Sequence, residues 1–285
     1  MIRRLCIFGV GLIGGSLALA LRRSGFCQSV VGCSRSEQHL ALAVEKGVID
    51  TYCLDAAEAV QDADVVLLSV PLGAMGPVCT SIREAIREDA VLTDVGSAKA
   101  SVVHAVSAAF GGAPAGFVPG HPIAGTERSG VEAAFPELFE GRRVILTPLE
   151  STAAEALETV RAMWQATGAE VEEMSVAHHD EVLAATSHLP HLLAFGLVDS
   201  LARMGEREEI FRYAAGGFRD FTRIASSDPV MWRDICLANS EAILKVMKHY
   251  REDLDAITEA VKHGDGDTLL AIFRRAKSAR DRFCD

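Results

Sequence analysis

The chain has 285 residues, of which 49% are hydrophobic and 24% charged, enough for two domains with sizeable cores. Its formal net charge of −11 leaves no basic excess to neutralise phosphates, so nucleic acid is excluded as an expected partner. No apolar run is expected to reach membrane-spanning length, and Met1-Ile2-Arg3-Arg4 leads straight into a strand with no room for a signal peptide. A cytoplasmic protein with no membrane partner is therefore expected. The seven cysteines form no C-x-x-C and are odd in number, which reads as free thiols rather than a disulfide framework.

In chain order, the apolar run Leu5-Cys6-Ile7-Phe8 reads as a buried strand. Gly9-Val10-Gly11-Leu12-Ile13-Gly14-Gly15-Ser16 follows it, and Leu17-Ala18-Leu19-Ala20-Leu21 opens a helix. A glycine-rich turn alone is ambiguous. Between a strand and a helix, however, the three spaced glycines each have a job. The first permits a tight turn, the second lets a pyrophosphate approach, and the third lets helix and strand pack closely. Gly9, Gly11, Leu12, Ile13 and Gly14 are thus expected to bind a dinucleotide.

Residues 29–33 read as a second strand, ending in Ser34-Arg35-Ser36. NAD-binding domains usually place a carboxylate there for the ribose 2′-hydroxyl. Here none occurs before Glu37. Arg35 either pairs with a 2′-phosphate or stacks on the adenine, so the cofactor is expected to be NAD or NADP, with NADP accepted.

Further strands are expected over 63–70, 90–95, 117–120 and 143–147, with helices over 36–47, 74–88, 98–109 and 151–167. This alternation implies an α/β, Rossmann-type, doubly wound and mostly parallel sheet over residues 1–174. Beyond 175 the pattern turns helical: residues 178–204, interrupted at Pro190, then 229–263 and 268–283. Ser227-Asp228-Pro229 supplies a cap and a first-turn proline, and Gly264-Asp265-Gly266-Asp267 a break. An all-α domain over 175–285 follows, with apolar faces broad enough to predict a homodimer.

In open α/β sheets ligands bind beyond the carboxyl ends of the strands. Three motifs lie at such ends. Val70-Pro71 turns the chain under the nucleotide. Asp94-Val95-Gly96-Ser97-Ala98-Lys99 puts a hydroxyl and an ammonium on one loop. Gly120-His121-Pro122-Ile123-Ala124-Gly125-Thr126-Glu127 places His121 in a rigid turn, as a surface histidine or as a proton acceptor near neutral pH.

In the helical part, Ser187-His188-Leu189-Pro190-His191 spaces two histidines three apart, on one helix face. They are packing histidines or ligand contacts; no clear third ligand supports a metal. His178-His179-Asp180 reads as a solvated helix start. In Phe218-Arg219-Asp220-Phe221-Thr222-Arg223-Ile224-Ala225 an arginine suits a substrate carboxylate, or an internal salt bridge with Asp220 or Glu127.

These motifs, in this order and over residues 2 to about 280, together resemble the prephenate/arogenate (cyclohexadienyl) dehydrogenases. The resemblance implies a nucleotide-binding domain followed by a helical dimerisation domain. It also implies oxidative decarboxylation of prephenate or arogenate, with hydride transfer to NAD(P)+, in tyrosine biosynthesis. On the matching motifs, His121 takes the proton of the ring hydroxyl and Ser97 hydrogen-bonds that hydroxyl and the histidine. Arg223 holds substrate carboxylate; His188, His191, Thr126 and Glu127 lie on the substrate side. The regulatory and mutase domains fused to some relatives are not recognisable here, so any tyrosine feedback is expected at the active site. Two other readings stay open. A dinucleotide sensor would keep the glycines without needing Ser97, His121 and Arg223. A 3-hydroxyacid dehydrogenase or imine reductase would rely on a second-domain lysine, and 178–204 contains none.

Overall fold

The structure is a computed structural model; it describes residues 1–126, 128–204 and 207–283. Glu127 and Cys284 lie outside the described residues. The chain forms two compact units, Met1–Ser240 and Glu241–Asp285.

The first unit begins with β1 (Ile2–Phe8), α1 (Leu12–Arg23), β2 (Cys27–Cys33), α2 (Glu37–Glu45), β3 (Thr51–Cys53) and α3 (Ala56–Val60). It continues with β4 (Val65–Leu68), α4 (Leu72–Ile82), β5 (Val91–Asp94), α5 (Lys99–Phe110) and β6 (Phe117–Val118). The strand order is β3-β2-β1-β4-β5-β6, and every pairing in this sheet is parallel. The order reverses between β1 and β4, and that reversal opens a crevice at the carboxyl edge. Apolar residues cover both faces. Leu5, Ile7 and Leu67 belong to one core cluster; Cys6, Phe8, Val66 and Leu68 belong to the other. Alternate side chains of one strand feed opposite faces, so the strands read as continuous apolar runs.

A second sheet, β7 (Gly120–Pro122), β8 (Arg143–Leu146) and β9 (Glu170–Glu173), follows, with α6 (Ala154–Gln165) between β8 and β9. β7 runs antiparallel to β8 and β9 parallel to it. Several short elements escaped the sequence patterns, β3, α3 and β9 among them. β3 and α3 are too short to set up a period, and β9 is the polar run Glu-Val-Glu-Glu.

The helical run holds α7 (Val176–Leu183), a π-helical turn at Ala184–His188, and α8 (Leu189–Ala202). Pro190 stands in the first turn of α8, directly after the π-helical turn, and the helical run continues through it instead of breaking. By length and composition alone, Val176–Ala202 could cross a membrane, which corrects the expectation that no run does so. It carries buried His179, Asp180 and His188, hydrogen-bonded to distant parts of the unit, and is a packed element of the fold.

α9 (Arg207–Arg212), α10 (Gly216–Thr222) and α11 (Pro229–Ala238) complete the first unit. As expected, the Asp228 side chain caps α11, accepting from Met231 N at 2.8 Å. The helix expected over 229–263 is broken at Asn239, whose side chain turns inward; α12 (Ser240–His263) starts afresh. The first unit runs past residue 174 because α7 packs on α5 and α11 on α4. In the second unit α12 is followed by α13 (Gly266–Phe283), and Leu244, Val261, Leu270 and Phe273 are exposed. Among the described residues all six cysteines are free thiols.

Candidate active site

The nucleotide end is built by backbone. Gly9 has φ +89°, and a Cβ there would sit 2.2 Å from the Ser69 carbonyl oxygen. A side chain is therefore excluded twice, by strain and by collision. At Gly14 a Cβ would meet the Gly9 carbonyl oxygen at 2.5 Å, so the third glycine sets how closely α1 lies on β1. Gly11 differs, because a Cβ there would point into open space. Gly11 caps α1 without a side-chain hydrogen bond, and the first turn holds no acid. Free amides facing an open, acid-free space fit a pyrophosphate. Leu12 and Ile13 are half-buried beside them.

At the end of β2, Ser34 is half-buried while Arg35 and Ser36 are exposed. Ser36 caps α2, accepting from His39 N at 3.3 Å. Glu37, the first carboxylate, accepts from the Tyr52 hydroxyl at 3.1 Å. Val70 and Pro71 follow β4, with Pro71 the N-cap residue of α4, on the same edge as the glycine loop.

Next along this edge, β5 ends at Asp94, fully buried with Lys99. The Asp94 carboxylate accepts from Gly96 N at 2.7 Å, from Gly120 N at 3.1 Å and from the Lys99 ammonium. Lys99 Nζ also donates to the Gly120 carbonyl oxygen. Burial pulls the Lys99 pKa down against the opposing pull of Asp94. The ammonium that shares this loop with Ser97 is a staple: it fastens β7, and so His121, to the end of β5. Ser97 itself is half-buried in the β5–α5 loop.

His121 stands in the middle of β7, opposite Ile145 of β8, rather than in the turn its proline suggested. The strand still presents its ring beyond the parallel sheet, 9% exposed. Its Nδ1 lies 2.8 Å from His179 Nε2, and His179 Nδ1 lies 2.8 Å from Asp180 Oδ1. Asp180 also accepts from Lys99 N at 2.7 Å and Ala100 N at 2.9 Å, capping α5 from a different helix. The expected solvated helix start is thus wrong for two of its three residues. His179 is wholly buried and Asp180 nearly so, because α7 lies on α5; His178 alone is exposed.

Burial holds the His121 pKa well below the ordinary imidazole value, and His179, Lys99 and His188 add to this. Burial lowers His179 too, opposed by its hydrogen bond to Asp180. Burial pushes Asp180 up, but the bonds from His179, Lys99 and Ala100 outweigh it and hold the carboxyl below its usual range. His121 is therefore neutral and Asp180 ionised near pH 7.

His188, at the end of the π-helical turn, is buried, and burial takes its pKa down to about 4. The Asn239 amide donates to its Nδ1 at 3.1 Å and to the Asp180 carbonyl oxygen at 2.8 Å. Neutral His188 thus carries its proton on Nε2, a buried donor beside the Ser97 backbone. His191 stacks on Trp232 of α11, ring centroids 3.6 Å apart, while the same indole meets His188 edge-on. The structure so brings together His121, His188 and the Ser97 backbone. Arg223 and Thr126 are exposed, and Thr126 Oγ1 accepts from Arg128 N at 3.2 Å in a local turn. Arg219 and Arg223 are not buried, so the expected penalty of burying an arginine among aromatics does not arise. Asn239, Trp232, His179 and Asp180 escaped the sequence reading or were misplaced by it. Only the His-His-Asp triplet carried a visible signal.

The family model for the prephenate dehydrogenase nucleotide-binding domain matches residues 17–173, and that for the prephenate dehydrogenase dimerisation domain matches 175–275. The chain is 40% identical over 284 residues to the cyclohexadienyl dehydrogenase of Zymomonas mobilis, covering 98% of this chain and 95% of that one. It is 37% identical to the prephenate dehydrogenase of Bacillus subtilis, over 96% of this chain and 74% of that one. The structure of prephenate dehydrogenase from Aquifex aeolicus, solved with hydroxyphenyl propionate and NAD+, is similar at TM-score 0.91 and 39% identity, over 98% of each chain. With the sheet order, the glycine loop and the buried histidine cluster, these likenesses show that the chain belongs to the prephenate dehydrogenase family.

Proposed function

We propose that this protein oxidatively decarboxylates prephenate, arogenate or both, with His121 as the base. The carrying observation is a buried, neutral His121 at the carboxyl edge of a nucleotide-binding sheet. His121 Nε2 takes the proton of the ring hydroxyl as a carbonyl forms. When bound, the nicotinamide accepts the hydride from the carbinol carbon. The carbon–carbon bond to the ring carboxylate then breaks, carbon dioxide leaves, and the released pair closes an aromatic ring. The proton on His121 returns to the phenolate oxygen, so the base is regenerated. Ser97 hydrogen-bonds the hydroxyl. His188 and His191 are read as substrate contacts, and Thr126 and Glu127 are assigned to the substrate side by their motif alone. Arg223 holds a carboxylate. The likeness to the Aquifex aeolicus complex supports NAD, and the carboxylate-free Ser34-Arg35-Ser36 turn supports NADP as well.

Residues 1–174 are assigned to nucleotide binding and 175–285 to substrate binding and dimerisation, a division supported by two family models that meet there. The exposed apolar residues of α12 and α13 support a homodimer. Sedimentation at micromolar concentration is expected to give twice the chain mass; a monomer overturns the assembly. Reduction of NAD and of NADP with prephenate, and separately with arogenate, tests the activity. Turnover in at least one combination is expected, and none in all four overturns the function.

A further inference from the structure

His121 is only as good a base as the orientation of its ring. An imidazole that pivots, or holds its proton on the wrong nitrogen, presents N–H instead of a lone pair to the substrate hydroxyl. The chain of contacts behind His121 removes that freedom. The Asp180 carboxylate can only accept, so the proton of His179 is on Nδ1. His179 Nε2 is then an acceptor, and His121 Nδ1, 2.8 Å away, must donate to it. The lone pair of His121 is left on Nε2, which makes no hydrogen bond to a described residue. Asp180 is itself fixed by the two backbone amides at the start of α5.

We propose that His179 and Asp180 are positioning residues that set the tautomer of His121 and stabilise the charge it gains. This rests on the reading of His121 as the base. When the substrate proton arrives on His121 Nε2, the Nδ1–H bond to His179 Nε2 persists. The new positive charge then lies on a hydrogen-bonded chain that ends in one negative charge. No proton leaves the chain, and the phenolate oxygen takes the same proton back. Lys99 of α5 and His188 of the π-helical turn also face His121, and Asp94 of β5 and Lys99 face His179. The Asp94 charge is matched by Lys99, so among the described residues Asp180 is the carboxylate placed to answer a charge on His121.

The test uses full-length His179→Leu, His179→Gln, Asp180→Asn and His121→Asn, each assayed with prephenate and NAD across pH. His179→Leu is expected to lower turnover about 10- to 100-fold with the Michaelis constant within about threefold. His179→Gln, whose amide oxygen can accept from His121 Nδ1–H, is expected to recover a good part of that loss. Asp180→Asn removes the answering charge, so protonated His121 is less stable and its pKa falls. The acid limb of kcat/KM, where His121 must be neutral, is then expected to move to lower pH. A merely structural role would lower the whole profile without moving this limb. NAD binding by each variant, followed by fluorescence, reports folding. Loss of binding by Asp180→Asn passes the decision to the His179 pair, which leaves the α5 cap intact.

His179→Leu at more than half of normal turnover, or His179→Leu and His179→Gln equally impaired, overturns the proposal. If His121→Asn is inactive while His179→Leu is normal, the relay fails and the base stands. If His121→Asn itself turns over normally, the base reading fails instead.

Discussion

The glycine loop and the histidine cluster lie on the same edge of one sheet and are built in opposite ways. The loop is local: Gly9, Gly11 and Gly14 span six residues, and the backbone supplies their function. The cluster is assembled from β5, β7, α5, α7, the π-helical turn and Asn239. Its contacts join residues 58, 81 and 51 positions apart. A site made of backbone is specified where it stands. A site made of side chains inherits its protonation states from whatever the fold packs against it.

The contrast can be broken at either end, and the largest effect is expected at the histidine. His121→Asn is expected to lower turnover by about 10² to 10⁴ while NAD affinity stays within about twofold. Stopped-flow and equilibrium binding would separate the two quantities. Near-normal turnover would remove His121 from the chemistry and leave the cluster as packing.

At the loop, Gly9→Ala is expected to cost about 2–4 kcal/mol in urea unfolding, because the new Cβ collides with the Ser69 carbonyl at a positive φ. Gly11→Ala sharpens the point. The same methyl group there meets nothing in the protein, so stability should change by less than about 0.5 kcal/mol. NAD affinity should nevertheless fall about tenfold, since the methyl enters the pyrophosphate's space. Equal stability losses for the two variants would mean that Gly11 serves the fold.

Arg223→Ala tests a residue that, like the loop, was read from local pattern. Losing a bidentate carboxylate partner should raise the Michaelis constant about 10- to 100-fold and change turnover much less. An unchanged Michaelis constant with lowered stability would make Arg223 a structural ion pair. The smallest effect concerns the ribose: Arg35→Ala is expected to weaken NADP about tenfold relative to NAD. No change in the ratio of the two would return Arg35 to adenine stacking.

Legibility followed the same divide. The parallel strands were readable because runs buried on both faces are apolar throughout, and the Asp228-Pro229 start because a cap acts within one turn. The role of Lys99 was not legible because a lysine in a strand-end loop usually faces solvent. Here β7 crosses over it, and a carboxylate and a carbonyl take its charge. Asp180 was misread for a related reason. Its proximity to a helix N-terminus was anticipated, but the helix it caps is α5, not its own.

By itself, then, the sequence determined a nucleotide-binding sheet, a helical second half and the set of motifs that carries the family likeness, because each depends on residues near one another in the chain. The tertiary structure decided that His121 sits in a strand rather than a turn, that Lys99 is a staple, and that His179 and Asp180 face inward. Those properties come from burial and from partners many residues away, and burial is the largest cause of the lowered pKa of His121 and His179.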